Sequence, residues 1–170
     1  DFVFEETNLD EIIRTSVRKY ARQFIAKKIS LSYEPVETTV ITDKKWLSFV
    51  IEQVISNAVK YTKTGGIKIY LEDGDGTMSV PVQKASHRKE DEGENSGMKS
   101  VRLVIEDTGI GIRAEDLPRI CEMGYTGCNG HEGQHSSGIG LYLCSRILKK
   151  LGHTFSITSK EGVGTVVKIG

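Results

Sequence analysis

Three short runs hold residues that can do chemistry together. Asn57-Ala58-Val59-Lys60-Tyr61 carries an amide, an ammonium and a phenol. Asp107-Thr108-Gly109-Ile110-Gly111-Ile112 sets two glycines behind a carboxylate. Ser137-Gly138-Ile139-Gly140-Leu141 opens a helical pattern. Singly each is weak, because paired glycines and a preceding Asp are ordinary turn formers. Neither glycine pair continues as G-x-G-x-x-G between a strand and a helix, and no Walker-type loop is present. Together they describe a polyphosphate site. Gly138 and Gly140 let backbone approach an anion at free amides and the positive end of a helix dipole. Lys60 adds a point charge for phosphate. Asn57 offers a carbonyl oxygen to a hard cation, and magnesium on a polyphosphate takes few protein ligands. Asp107, at a strand end, can accept a hydrogen bond from an exocyclic amine such as that of adenine. Gly109 and Gly111 then let a flat base lie against backbone.

These residues need elements to hold them. Asn8 and Glu11 have capping-box spacing ahead of apolar residues at 9, 12, 13, 17, 20 and 24, which predicts one helix of about five turns. Its opposite face carries Arg14, Arg18, Lys19 and Arg22, a solvated face or one that meets an acidic partner. Asp43 is placed to cap a second, largely buried helix over 44–61, with Glu52, Gln53 and Asn57 inside it. Polar groups there need partners or a site to face. Strands are expected at 1–4, 30–33, near 40–41, at 67–71 and at 101–106, where apolar residues alternate. Residues 138–151 read as a third helix, and Phe155 to Ile169 as a closing hairpin. The segment 72–100 is polar and acid-rich, and reads as an insertion between two paired strands. The predicted fold is α+β: a two-layer sandwich with helices on one face of a mixed, mainly antiparallel sheet.

Length and composition set bounds. The chain has 170 residues, 38% hydrophobic and 27% charged, which fits one globular domain over 1–170. Zero net charge, from 23 basic and 23 acidic side chains, argues against nucleic acid as a partner. No apolar run has the roughly 20 residues of a membrane-spanning helix, and no signal peptide opens the chain. The first residues look like the start of an excised piece of a longer protein. Three cysteines exclude a full disulfide framework, and reduced thiols in a cytoplasmic setting are the simpler reading.

At these motifs the sequence resembles the ATP-binding catalytic domains of bacterial two-component sensor histidine kinases, within the GHKL superfamily shared with gyrase, Hsp90 and MutL. The N box resembles Gln53 to Tyr61, the G1 box Asp107 to Ile112, and the G2 box Gly138 to Leu141; Gly162 to Thr165 is similar to the last glycine motif. The resemblance implies a Bergerat-type fold with ATP between helices and sheet, under a lid at 113–137. It implies that Asp107 binds the adenine amine, Asn57 the Mg2+ and Lys60 a phosphate. Tyr61, Gly109, Gly111, Ile112, Tyr125, Thr126, Gly127, Gly138, Ile139, Gly140 and Leu141 would line the site, and Thr165 would support Asp107. A narrower resemblance runs over Cys121 to Gly130, Leu141 to Cys144 and the Glu52-Gln53 pair. It points to antimicrobial-peptide-sensing kinases of the bacitracin-resistance type, which work with an ABC transporter.

Two departures bear on mechanism. Many such kinases carry Asn four residues before the position of Asn57. Here Gln53 stands there, reaching metal through its amide oxygen or serving as a satisfied core amide. The hydrolytic relatives use Glu at that position, whereas Glu52 points roughly 100° away around the helix. Transfer to an external acceptor is therefore favoured over hydrolysis. Second, none of His87, His131, His135 and His153 sits in an acceptor context, and no catalytic side chain is assigned. The implied acceptor lies on a separate dimerisation domain, with a response regulator downstream and membrane segments and a sensor elsewhere in the protein. Two other readings stay open: an ATP-binding scaffold without transfer, and a zinc-dependent interaction domain using Cys121, Cys128, His131 and His135. The spacing of that set lacks the close cysteine pair of structural zinc sites.

Overall fold

A computed structural model describes residues 2–35, 37–73, 101–116 and 140–170. The elements run β1 (Glu5–Asn8), α1 (Leu9–Lys19), α2 (Ala21–Lys27), β2 (Ser30–Tyr33), β3 (Thr39–Thr42), α3 (Lys44–Tyr61), β4 (Gly66–Asp73), β5 (Val101–Asp107), α4 (Gly140–Leu151), β6 (Phe155–Lys160) and β7 (Gly164–Ile169). Five strands form a sheet in the order β2-β4-β5-β7-β6; β2 and β4 are parallel and every other pair is antiparallel. The helices lie on one face of it, so the expected α+β sandwich is the observed one. A separate two-stranded antiparallel sheet pairs β1 with β3.

Local chemistry explains the helix starts. Asn8 accepts from the Glu11 amide at 3.2 Å, and Asp43 accepts from the Trp46 amide at 3.2 Å. Each satisfies one of the amides that a helix start leaves free. Asp43 also accepts from the Val3 amide at 2.8 Å, and that bond above all holds its carboxyl below the usual range.

Two expectations are corrected here. The single first helix is two, broken at Tyr20, whose φ of −105° and ψ of 9° end α1. Apolar spacing runs unbroken through Tyr20 because periodicity counts faces and does not register one residue leaving helical dihedrals. The opening strand lies at Glu5–Asn8 rather than over 1–4. Phe2 instead packs edge-on against Trp46, with ring centroids 6.0 Å apart.

The core forms where α3 presses on the sheet. Val50, Ile51, Val54 and Ile55 of α3 are buried against Ile67 and Ile69 of β4, Leu103 and Ile105 of β5, and Cys144 and Leu148 of α4. Each large aliphatic chain so buried contributes about 1.5–3 kcal/mol. β4 continues through Asp73, so the strand takes in the first two residues of the expected insertion. Buried Glu72 pairs there with Arg102 (3.2 Å) and Lys168 (2.9 Å). The rest of that insertion, 74–100, lies outside the described residues.

His153 follows α4 and is half-buried, with Nε2 3.0 Å from Thr42 Oγ1. Burial lowers its pKa, against a smaller raising effect from the Gly170 backbone. The folded state therefore takes up this proton later than the unfolded chain as pH falls. Stability from this group is complete above the unfolded value of about 6.5 and is lost as pH falls through the lower folded value. Urea unfolding between pH 7.5 and 5 is expected to show a midpoint that drops below pH 6.5 more steeply for the wild type than for His153→Gln. Parallel profiles would contradict the assignment.

Candidate functional site

The site lies between α3 and the sheet. Val54, Asn57, Ala58 and Tyr61 share one helical face of α3 by their spacing of three and four. Ile105 and Asp107 on β5, and Thr165 and Val167 on β7, alternate toward that face, with Ile157 of β6 beside them. Gly111 and Ile112 close one side, and Leu141 of α4 closes another. The cleft spans about 620 Å³ of space between these residues, part of it open solvent. Its walls are mainly apolar, and Asp107 is the carboxylate among them.

Asp107 is held from two sides. The Gly109 amide donates to its Oδ1 at 2.8 Å. β5 and β7 are in register at Asp107 and Thr165, which brings the Thr165 backbone amide toward the carboxylate. Burial raises the Asp107 pKa, and these two amides oppose that rise. The Thr165 hydroxyl lies 2.8 Å from the Ser159 hydroxyl, and Ser159 Oγ accepts from the Ile112 amide at 2.7 Å. The glycine loop after β5 is thus tied to the edge strand β6 and, through Ser159, to β7. It is also tied to α3, because the Ile110 amide donates to the Tyr61 carbonyl at 3.1 Å.

Not every expected residue joins the cleft. Asn57, Tyr61, Asp107, Gly111, Ile112, Leu141 and Thr165 line it. Gly109 lies just behind, where a Cβ would come within 2.5 Å of the Tyr61 carbonyl oxygen and 2.8 Å of Asp107 Oδ1. Lys60 stands in the neighbouring groove with Tyr20, Gln23, Lys27, Ser56 and Val59. Its ammonium lies 5.6 Å from the Tyr61 ring centroid, and burial lowers its pKa. Gln53 turns its amide oxygen toward the start of α4, within 3.0 Å of where a Gly140 Cβ would be. Glu52 is paired with Lys19 of α1 at 2.9 Å, away from the cleft. Tyr125, Thr126, Gly127, Gly138 and Ile139 lie outside the described residues, as do Cys121, Cys128, His131 and His135. Of the expected lid, 113–116 are described, with Arg113 paired to Asp116 at 2.9 Å; 117–137 are not.

The apolar walls Val54, Ala58, Ile105, Ile157 and Val167 were not singled out from the motifs. Their signal is positional: they stand three residues before and one after Asn57, two before Asp107 and two after Thr165, with Ile157 on the neighbouring strand. Among the described residues no group of three or more His, Cys, Asp or Glu side chains could hold a metal ion.

A mainly apolar slot with a half-buried carboxylate at a strand end, between a sheet and a helix bearing an amide, matches a nucleotide-binding domain of the Bergerat type. The chain belongs to the histidine kinase-, DNA gyrase B- and HSP90-like ATPase family, whose pattern matches residues 42–170. It is 33% identical to the sensor histidine kinase YxdK of Bacillus subtilis (strain 168), over 99% of this chain and 46% of that protein. It is 31% identical to the sensor protein BceS of Halalkalibacterium halodurans, over 97% of this chain and 42% of that one. It is 30% identical to the sensor protein kinase GraS of Staphylococcus aureus, over 99% of this chain and 42% of that one. The chain thus spans less than half the length of these relatives. In fold it is similar to the nucleotide-free catalytic domain of the histidine kinase ThkA, with a TM-score of 0.73 and 22% identity over 99% of this chain and 94% of that one. It is likewise similar to full-length ShkA in complex with AMPPNP, with a TM-score of 0.75 and 19% identity over 99% of this chain and 31% of that one.

Proposed function

We propose that this chain binds Mg-ATP and delivers the γ-phosphoryl group to a histidine on a separate dimerisation domain, as the catalytic half of a sensor histidine kinase. The observation that carries this reading is the placement of Asp107. Its carboxylate is fixed by the Gly109 amide at 2.8 Å and lines a mainly apolar slot between α3 and the sheet. An adenine amine donating to that carboxylate would replace the water lost on burial, with Ile105, Ile157 and Val167 against the ring. Asn57, at the same cleft, would bear on magnesium, and Lys60, in the next groove, would reach the phosphates by its flexible stem. The metal would supply charge neutralisation on the transferred group. Gly138, Ile139 and Gly140 would meet the phosphates at the start of α4.

Transfer is favoured over hydrolysis because Glu52 is engaged by Lys19 and not aimed at the cleft. The names of the relatives support a sensor kinase of the BceS, GraS and YxdK kind. A response regulator would then receive the phosphate, and an ABC transporter would belong to the signalling complex of the whole protein. Among the described residues no helix is long and apolar enough to cross a membrane. We place this domain on the cytoplasmic side of a membrane-bound kinase, where ATP is available.

The test uses titration calorimetry with ATP and magnesium. It is followed by incubation with γ-labelled ATP and the dimerisation domain of the same protein added in trans. Micromolar binding and acid-labile, base-stable label on that domain are expected. Binding without any label would return the reading to a scaffold module. Absence of binding would overturn the nucleotide assignment itself.

A further inference from the structure

We propose that Lys27 is a positioning residue for the nucleotide cleft: its ammonium holds the last turn of α3 and, through the Tyr61 carbonyl, the glycine loop after β5. The proposal rests on the nucleotide reading above. Lys27 precedes the stretch 42–170 that the family pattern covers.

A helix leaves its last four carbonyls without partners inside the helix body. In α3 these belong to Ala58, Val59, Lys60 and Tyr61. The Thr62 amide donates to Ala58 at 3.1 Å. Lys27 Nζ donates to Val59 at 2.5 Å and to Lys60 at 3.2 Å. The Ile110 amide donates to Tyr61 at 3.1 Å. Two of the four are therefore satisfied by one side chain from another helix, and the next one along is the tie to the glycine loop. A cation at this end also meets the negative end of the α3 dipole.

Lys27 is itself well anchored. It is the last residue of α2, which ends on Lys28 in the left-handed conformation (φ 55°). The Ile29 amide closes that end by donating to the Phe24 carbonyl at 3.0 Å, with Phe24 and Ile29 buried in the core. Burial and the nearby Lys63 lower the Lys27 pKa. The turn so held carries Asn57, Lys60 and Tyr61, three of the expected nucleotide groups. Without the ammonium, the Val59 and Lys60 carbonyls would turn to water. The last turn would fray, and the Tyr61–Ile110 bond would open with it.

The test reads the Ile110 amide and nucleotide affinity together. Hydrogen exchange by NMR is measured for wild type, Lys27→Met and Lys27→Arg, with Ile105 in central β5 as the internal reference. ATP affinity with magnesium is measured on the same samples. Methionine keeps the unbranched apolar stem, and arginine keeps donors for two carbonyls. In Lys27→Met, Ile110 exchange is expected to rise about tenfold against Ile105, and ATP affinity to fall about tenfold, the scale of one charge-assisted hydrogen bond. Lys27→Arg is expected to bring both back to within about threefold of wild type. Unchanged Ile110 exchange in the folded Met variant would overturn the proposal. Weaker ATP binding with unchanged Ile110 exchange would also overturn it, by making Lys27 a direct phosphate contact. If the wild type binds no ATP, the nucleotide reading fails, while Ile110 exchange still decides whether Lys27 holds the loop. If the Met variant does not fold, Lys27→Gln takes its place in the same comparison.

Discussion

Asp107→Asn is expected to weaken ATP binding by about 10- to 100-fold while leaving the free protein at least as stable as the wild type. The affinity loss follows from replacing an ionised acceptor, in a bond worth about 1.5–3 kcal/mol, with an amide. If the amide oxygen stays on the Gly109 N–H, its NH2 group faces the adenine amine, and two donors then meet. The stability half follows from the direction of the pKa shift. Burial raises the Asp107 pKa, so the folded state disfavours the charge relative to the unfolded chain. A raised folded pKa stabilises the fold below the unfolded value of about 3.9, and that contribution is lost as pH rises through the folded value. At neutral pH the ionised group therefore costs stability, and Asn removes the cost. For the same reason, wild-type ATP affinity should fall as pH drops through the raised value, because the acceptor becomes protonated. Calorimetry and thermal unfolding of both proteins check this. An Asn variant with wild-type affinity would remove Asp107 from the site, and one with a lower melting temperature would show that its charge is structural.

Gly111→Ala is expected to destabilise the fold by about 2–4 kcal/mol and to reduce nucleotide binding in whatever fraction remains folded. Gly111 has a φ of 72°, where a side chain is strained, and a Cβ there would lie 2.2 Å from the Lys160 carbonyl oxygen. The first effect costs about 1 kcal/mol or more, and forced overpacking against backbone adds about 1–3 kcal/mol. The comparison is Gly152→Ala. Gly152 has a φ of 78° but nothing within 4 Å of its Cβ position, and it lies beyond α4, away from the cleft. It should lose only the conformational part. Urea midpoints for the two variants therefore separate strain from collision. Equal losses would mean that the loop yields freely at Lys160, and the rigid-loop account of Gly111 would fail.

Much of the architecture is legible locally. Asn8 and Asp43 cap helices because a side-chain acceptor three residues before an amide is a property of the chain segment itself. The buried face of α3 and the strands β4 to β7 follow from periods near 3.6 and 2, which bury one face whatever lies opposite. The order of Asn57, Asp107 and the Gly138/Gly140 pair points to a nucleotide because each needs only a neighbouring helix end or strand end to act.

Convergence is a different matter. Helical spacing alone did not place Lys60 in the groove beside Lys27 rather than in the cleft with Asn57 and Tyr61, because the direction in which α3 faces the sheet is set by packing. The use of Phe2 against Trp46 depends on a contact with α3, more than forty residues away, and the split at Tyr20 rests on the dihedrals of one residue. The support of Asp107 by Thr165 needs the register of β5 on β7, and the bond from Lys27 to the end of α3 needs α2 to lie across it. The sequence by itself determined most of the elements, their buried faces and the chemical groups offered to a ligand, since propensity, capping and periodicity act over a few residues. Only the tertiary structure decided which of those groups share one cleft and what holds them there. Long-range register and helix orientation are fixed by burying all the faces at once, a condition that no single segment carries.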